Sequence, residues 1–308
     1  MCGCRSDPVV PPPPPDAWVS QESGIRAELW GVCFTDVNIG TAVGQNGTIL
    51  RTTDGGANWV SQTSGTSAYL LGVWFTDANT GTAVGGTDTF FTILRTTDGG
   101  ANWIIQVMKK DSRYLRSVCF TDANTGTIVG DQGIILRTTD GGAIWVEQNS
   151  GTTRNNLHGV WFTDANTGTI VGERGTILRT TDGGATWVNR GAIGGWNYDV
   201  HFTDANTGTV VGEHGVILRT TDGGATWILQ TSGTFSSLYS VFFIAPEIGT
   251  AVGGRSILRT TDGGATWVRQ PGSGGGLFGY HDVHFTDVNT GTVVGDGGTI
   301  LRTTSGGQ

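Results

Sequence analysis

Six aspartates occupy one recurring place in this chain: Asp54, Asp98, Asp140, Asp182, Asp222 and Asp262, each preceded by Thr-Thr and followed by Gly-Gly. Repeated carboxylates could bind metal or catalyse, but the local pattern favours a structural task. Each can accept backbone N–H bonds across a tight turn whose bend is taken up by the two glycines. A second acidic pattern, Asp77-Ala78-Asn79-Thr80-Gly81, hints at a calcium loop, yet it lacks the distal bidentate Glu and reads as a hairpin turn. Cys33, Cys119, His201 and His284 share one station in different repeats, where Trp74, Trp161 and Phe242 also occur. Two Cys and two His could hold a soft metal, but a position that accepts Trp and Phe reads as core between repeats. No metal or other cofactor is expected.

The elements that carry these residues follow from the repeat. A unit of about 42 residues recurs seven times, a period that marks stacked supersecondary units. In one unit, short apolar runs cover residues 158–162, 169–172, 176–180 and 185–188, separated by Gly, Asn and Asp, which is the pattern of strands joined by tight turns. No window has a helical period. The expected fold is therefore all-β: one seven-bladed propeller of four-stranded antiparallel blades over residues 16–308. The seventh unit stops at Gln308 before its fourth run, and residues 16–24 match that missing run, so the N-terminal strand is expected to close the last blade and remove the open edges.

Residues 1–15 read differently. Five prolines, Pro11 to Pro15, predict a stiff polyproline tether. Cys2-Gly3-Cys4 ahead of it resembles the end of a bacterial lipobox, with Cys4 as the acylated residue. That predicts an extracellular, periplasmic or envelope-anchored protein touching a membrane only through lipid. Formal charge is −8 with 18 Lys and Arg, seven of them in the repeated Arg-Thr-Thr, so no basic stripe exists for nucleic acid.

With the repeats laid out, the Thr-x-Asp-x-Gly-x-x-Trp turn resembles the Asp-box, or BNR repeat, of sialidases and sortilin-type receptors. The whole unit, with its Val-x-Phe-Thr-Asp-x-Asn-x-Gly-x-x-Val-Gly pair, is similar to the photosystem II stability and assembly factor family over residues 17–308. Residues 245–249 and Ser305 depart from the pattern. The resemblance implies a propeller, and in that family arginines on the propeller are implicated in docking the photosystem partner. Arg51, Arg95, Arg137, Arg179, Arg219, Arg259 and Arg302 form a comparable ring, although carboxylates such as Asp36 would equally pair with them as structure. The sialidase active site, an arginine cluster with Tyr, Glu and Asp, has no counterpart here, so no enzyme activity is expected.

Tracing the strands places the Asp-boxes and the Asp-x-Asn-x-Gly turns on one nearly invariant face. The other face varies. Its candidate binding residues are Tyr69, Arg113, Tyr114, Arg116, Arg154, Asn155, Asn156, Trp196, Tyr198, Tyr239, Tyr280 and His281. One constant and one diversified face suit recognition. The expected function is a non-enzymatic, monomeric binding or assembly scaffold with a protein partner, a glycan being the alternative ligand; a photosystem II assembly role is what the resemblance implies.

Overall fold

The computed structural model of the protein describes residues 17–151, 154–191, 195–271 and 279–307. The tether, Cys4 and Phe278 lie outside the described residues. Seven four-stranded antiparallel sheets follow one another as the blades of a propeller. In the first blade the strands run from the central channel outwards as Leu29–Phe34, Gly40–Gly44, Ile49–Thr52 and Val60–Gln62. The seventh blade is completed from the other end of the chain: Val19 pairs with Arg302, Ser20 with Leu301 and Gln21 with Ile300.

The core lies between blades. Phe34, Val32 and Leu50 of the first blade pack with Val294 and Ile300 of the seventh, and Trp18, Phe285 and Val293 of the seventh pack with Val252 and Ile257 of the sixth. Second strands such as Gly168–Gly172 are buried along their whole length. Gly168 is obligatory for a steric reason, since a Cβ there would lie 2.5 Å from the ring of Phe162.

Two details depart from the sequence reading. The outer strand of the fourth blade is Val188–Asn189 rather than residues 185–188, because the residues before it belong to the box turn. The box tryptophan, which as a bulky residue at the start of the outer strand is expected to plug the outer blade core, reaches further in. It turns inwards, and Trp187 meets the inner-strand Phe162 edge-on at 6.0 Å, a preferred aromatic geometry. Phe34–Trp59, Phe243–Trp267 and, across the closure, Trp18–Phe285 repeat that contact at 6.0, 5.9 and 6.0 Å.

Candidate functional site

On the invariant face the box aspartates and the repeated arginines have internal partners. In the box at Asp182, one carboxylate oxygen accepts from Thr180 Oγ1 at 2.8 Å and Thr186 N at 2.9 Å, and the other from Thr186 Oγ1 at 2.6 Å. These bonds, led by that from Thr186, hold the Asp182 carboxyl down at about 2. The donors are exposed, so water can replace the carboxylate and loss of Asp182 is less costly than loss of a buried acceptor. Asp36 accepts from Asn38 N and Ile39 N at 2.7 and 2.9 Å, an Asx turn in place of a calcium loop.

The arginine ring is a set of staples. Arg179 Nη1 donates to Thr169 Oγ1 at 2.7 Å in its own blade, Nη2 donates to the Ala205 carbonyl of the next blade at 2.7 Å, and the guanidinium lies 4.8 Å above the Phe202 ring. Arg302 makes the same bonds to Thr292 and Val37 and so crosses the closure. The Asp36-type carboxylates supply long-range field only; the direct acceptors are carbonyls. That explains why residues 245–249 can depart from the repeat, for Arg219 needs only the Pro246 carbonyl. Gln21 adds a second link between blades, donating to Gly55 O at 3.1 Å and accepting from Trp59 Nε1 at 3.2 Å.

The variable face surrounds the channel mouth. Its aromatic side chains form two arcs: Trp30, Tyr69 and Tyr114, with ring centroids 5.4 and 6.5 Å apart, and His158, Trp196, Tyr198, Tyr239 and His281, linked by contacts of 5.0–6.3 Å. The charged candidates are tied down. Arg113 pairs with Asp111 at 2.7 Å and Glu147 at 2.9 Å, Arg116 with Asp131 at 2.5 Å, and Asn156 bonds Glu173 at 2.9 Å. Asn155 donates to Thr176 Oγ1 at 2.9 Å, Tyr114 donates its hydroxyl to Asp88 at 2.7 Å, and Arg154 is exposed. Tyr280 must be withdrawn from the face. It is 5 % exposed and belongs to the core between the sixth and seventh blades, because alternation along a strand sends it away from the lumen. Trp30, His158 and Phe235, the last 92 % exposed, are added; for the first two, aligning the seven inner strands on His281 would have found them.

The inner strands reach the channel through a bulge. A register shift between Tyr280 and Asp282, repeated between Asn197 and Asp199, spends one unpaired residue, so His281 with Asp282, and Tyr198 with Asp199, both line the lumen. The resulting cavity holds about 160 Å³. Its lining includes the station of Cys33, Trp161, His201, Phe242 and His284, with Trp161 4.0 Å from His201 and Phe242 4.7 Å from each histidine, ring centre to ring centre. Burial pushes both Cys33 and Cys119 thiols up to about 12, which denies a metal its thiolates. Both are free cysteines. Among the described residues no group of three or more His, Cys, Asp or Glu is placed to hold a metal.

Five titratable groups in this channel oppose one another. Burial raises Asp199 to about 7 and Asp282 to about 6, so between about pH 4 and 7 the folded chain keeps protons that the unfolded chain has released, and stability falls as pH rises. Burial lowers His158 and His201 to about 3 and His284 to about 4. Their sign is the reverse: the unfolded chain gains protons below about pH 6.5 that the folded chain refuses, and stability falls as pH falls. Asp199→Asn leaves one acceptor for the N–H groups of Val200 and Val241, a cost of about 1–3 kcal/mol at any pH, but it also removes the titration, so the variant's stability relative to the unsubstituted chain is expected to be better at pH 8 than at pH 4. His201→Phe should do the opposite. Melting curves of the two variants at both pH values check this, and equal shifts at pH 4 and 8 would refute it.

Fold and site together define a propeller with a stapled, uniform face and an aromatic, diversified one around an open channel. Compared with known proteins, the chain matches the family described as Photosynthesis system II assembly factor YCF48 over residues 61–150 and 193–273. It belongs to that family. A solved structure of YCF48 bound to D1 peptide is similar at 21 % identity and a TM-score of 0.78, covering 94 % of this chain and 97 % of that one. YCF48 from Cyanidioschyzon merolae is similar at 22 % identity and 0.76, covering 93 % and 98 %. A GH74 enzyme of Niastella koreensis is similar at 15 % identity and 0.76, but this chain, 92 % covered, spans only 53 % of it. At these identities the structural likeness shows the fold alone. No curated protein matches the chain.

Proposed function

We propose that this chain is a non-enzymatic assembly factor that docks a protein partner on the variable face, over the two aromatic arcs at the channel mouth. The observation that carries this reading is the arcs themselves: Trp196 and Tyr69 are 43 and 37 % exposed and ring an open channel, and such partly solvated aromatics are the residues that dominate protein interfaces. The arginines and box aspartates of the opposite face are engaged in staples and turns. Family membership and the D1 peptide held by a YCF48 structure of the same fold support a peptide segment as the ligand and photosystem II assembly as the specific setting to test first. A glycan fits less well, because the seven inner strands present Trp30, Leu71, Arg116, His158, Tyr198, Tyr239 and His281 at one station rather than one pocket repeated. Export, with Cys4 acylated and the prolines as a tether, is part of the proposal and places the partner in the cell envelope.

One experiment addresses both halves: cross-linking of the native protein in cells, purification, and mass spectrometry of cross-links and of the N-terminal peptide. Cross-links to a single partner are expected to cluster on residues 69, 114, 154, 196–198, 235, 239 and 281. Cross-links concentrated at the boxes around Asp54, Asp98 and Asp140 would overturn the docking face. An unmodified Cys4 recovered from the cytosol would overturn the anchor without touching the face.

A further inference from the structure

In three consecutive blades the inner-strand position after the bulge is Asp199, Ser240 and Asp282, where the first, second and fourth blades have Gly31, Gly72 and Gly159. These three side chains stand along one wall of the cavity. Ser240 Oγ donates to Asp282 Oδ1 at 2.7 Å. Asp199 also accepts from Val200 N at 2.8 Å and Val241 N at 2.9 Å, and Asp282 from Val283 N at 2.9 Å and Val32 N at 2.8 Å. Part of their role is therefore to tie blades together. A carboxylate offers about four acceptor sites, so both keep capacity towards the lumen. Among the described residues neither is in an ion pair; of the cavity's lining residues, Arg116 is spent on Asp131 and His281 on Asp296. Two walled-in carboxylates with no counter-charge are an expensive arrangement that either a proton or a visiting cation relieves.

A second observation points the same way. His201 is only 5 % exposed, lines the same cavity, and its Nδ1 has no hydrogen-bond partner; the Nδ1 of His284 is likewise unpaired. Carboxylates and uncharged imidazoles make the pocket rich in acceptors, and the matching ligand is donor-rich, as an ammonium or guanidinium is. Trp161, Phe242, Tyr198 and Tyr239 add π faces that attract such a cation. The volume, about 160 Å³, is close to the roughly 150 Å³ that admits a benzene, enough for the stem and head of one long side chain and too small for a folded segment.

We propose that the channel mouth seats one Lys or Arg side chain of the protein partner, its cationic head between Asp199, Ser240 and Asp282. This rests on the protein-binding reading only in naming where the cation comes from. The test uses small probes so that the two stand or fall separately: Nα-acetyl-lysine methylamide, Nα-acetyl-arginine methylamide and, as the uncharged isostere, Nα-acetyl-norleucine methylamide, followed by the fluorescence of the whole chain, since Trp30, Trp74 and Trp161 line the cavity. A cationic probe is expected to give a saturable change with a dissociation constant on the order of millimolar, and norleucine none. The double variant Asp199→Asn, Asp282→Asn should weaken cation binding at least about tenfold, read at a temperature where circular dichroism shows the variant folded. If the double variant does not fold, Asp199→Asn alone gives the same readout. Equal binding of norleucine, or cation binding that survives the Asn substitutions, would overturn the proposal; n-butylammonium binding more tightly than the lysine probe would overturn a side chain as its source. A partner found on other surfaces would leave the probe result standing and remove the docking face.

Discussion

Removal of residues 1–24 is expected to convert a cooperatively folding protein into one that aggregates on purification or melts well below the full-length chain. The physical reason is closure. Val19–Gln21 is the outer strand of the seventh blade, paired to Ile300–Thr303, and Trp18, 4 % exposed, packs edge-on against Phe285 at 6.0 Å. Losing a buried Trp costs about 3–5 kcal/mol, and each strand bond lost adds about 0.5–1.5 kcal/mol, together a large share of the 5–15 kcal/mol typical of a folded domain. The truncation also bares the ladder edge beside Ile300 and Leu301, buried in the intact protein, and an unprotected edge recruits other chains. Removal of residues 1–14 is the control and should leave the melting curve unchanged. Trp18→Ala in the full chain should fall between the two. A truncation at residue 24 that stays monodisperse and melts with the full-length protein would show that six and three-quarter blades close without the strand.

What could be read from the sequence was whatever is written identically in every repeat. The blade count, the shared last blade and the two faces all follow from the spacing of the Thr-Thr-Asp-Gly-Gly turns and from the match of residues 16–24 to residues 57–65, because those signals are local and periodic. The site is not local. Trp30, Leu71, Arg116, His158, Tyr198, Tyr239 and His281 follow no repeated residue type, and they become neighbours only when seven inner strands converge on one axis. The bulge adds a second obstacle. Strict alternation allows one of His281 and Asp282 to face the lumen, whereas the register shift lets both do so. Tyr280 sits among variable loop residues in sequence, yet the same alternation puts it in the core. The partners of the arginines were hidden for a related reason. A carboxylate such as Asp36 is visible in a sequence, but the carbonyl of Ala205 that Arg179 reaches is a feature of how adjacent blades sit.

Those staples set the second large expectation, a rank order rather than a single value. Arg179→Ala should cost about 3–4 kcal/mol, from a charge-assisted bond of roughly 1.5–3 kcal/mol, a cation–π contact of about 0.5–2 kcal/mol and a buried Thr169 hydroxyl left without its partner. Arg51, Arg137, Arg219 and Arg302 have the same exposure, 8 %, and lie 4.6–4.7 Å above the next blade's Phe ring; in a closed ring their interfaces are equivalent, so their alanine variants should match that of Arg179 within about 1 kcal/mol. Arg95 should be the exception. Its bonds to Thr82 and Ala123 are 3.0 and 3.5 Å, and its guanidinium stands 5.5 Å from Phe120, so each contribution is weaker and Arg95→Ala should cost least. Lysine cannot rescue Arg179, because a single ammonium cannot reach Thr169 and Ala205 together while lying flat on Phe202. Chemical denaturation of the alanine series decides the matter, with partner binding measured in parallel. A docking role would show as lost affinity at full stability, while the staple predicts lost stability with the Arg95 variant the mildest; an Arg95→Ala cost equal to that of Arg179→Ala would mean that the contacts named here do not set the strength of the blade interface.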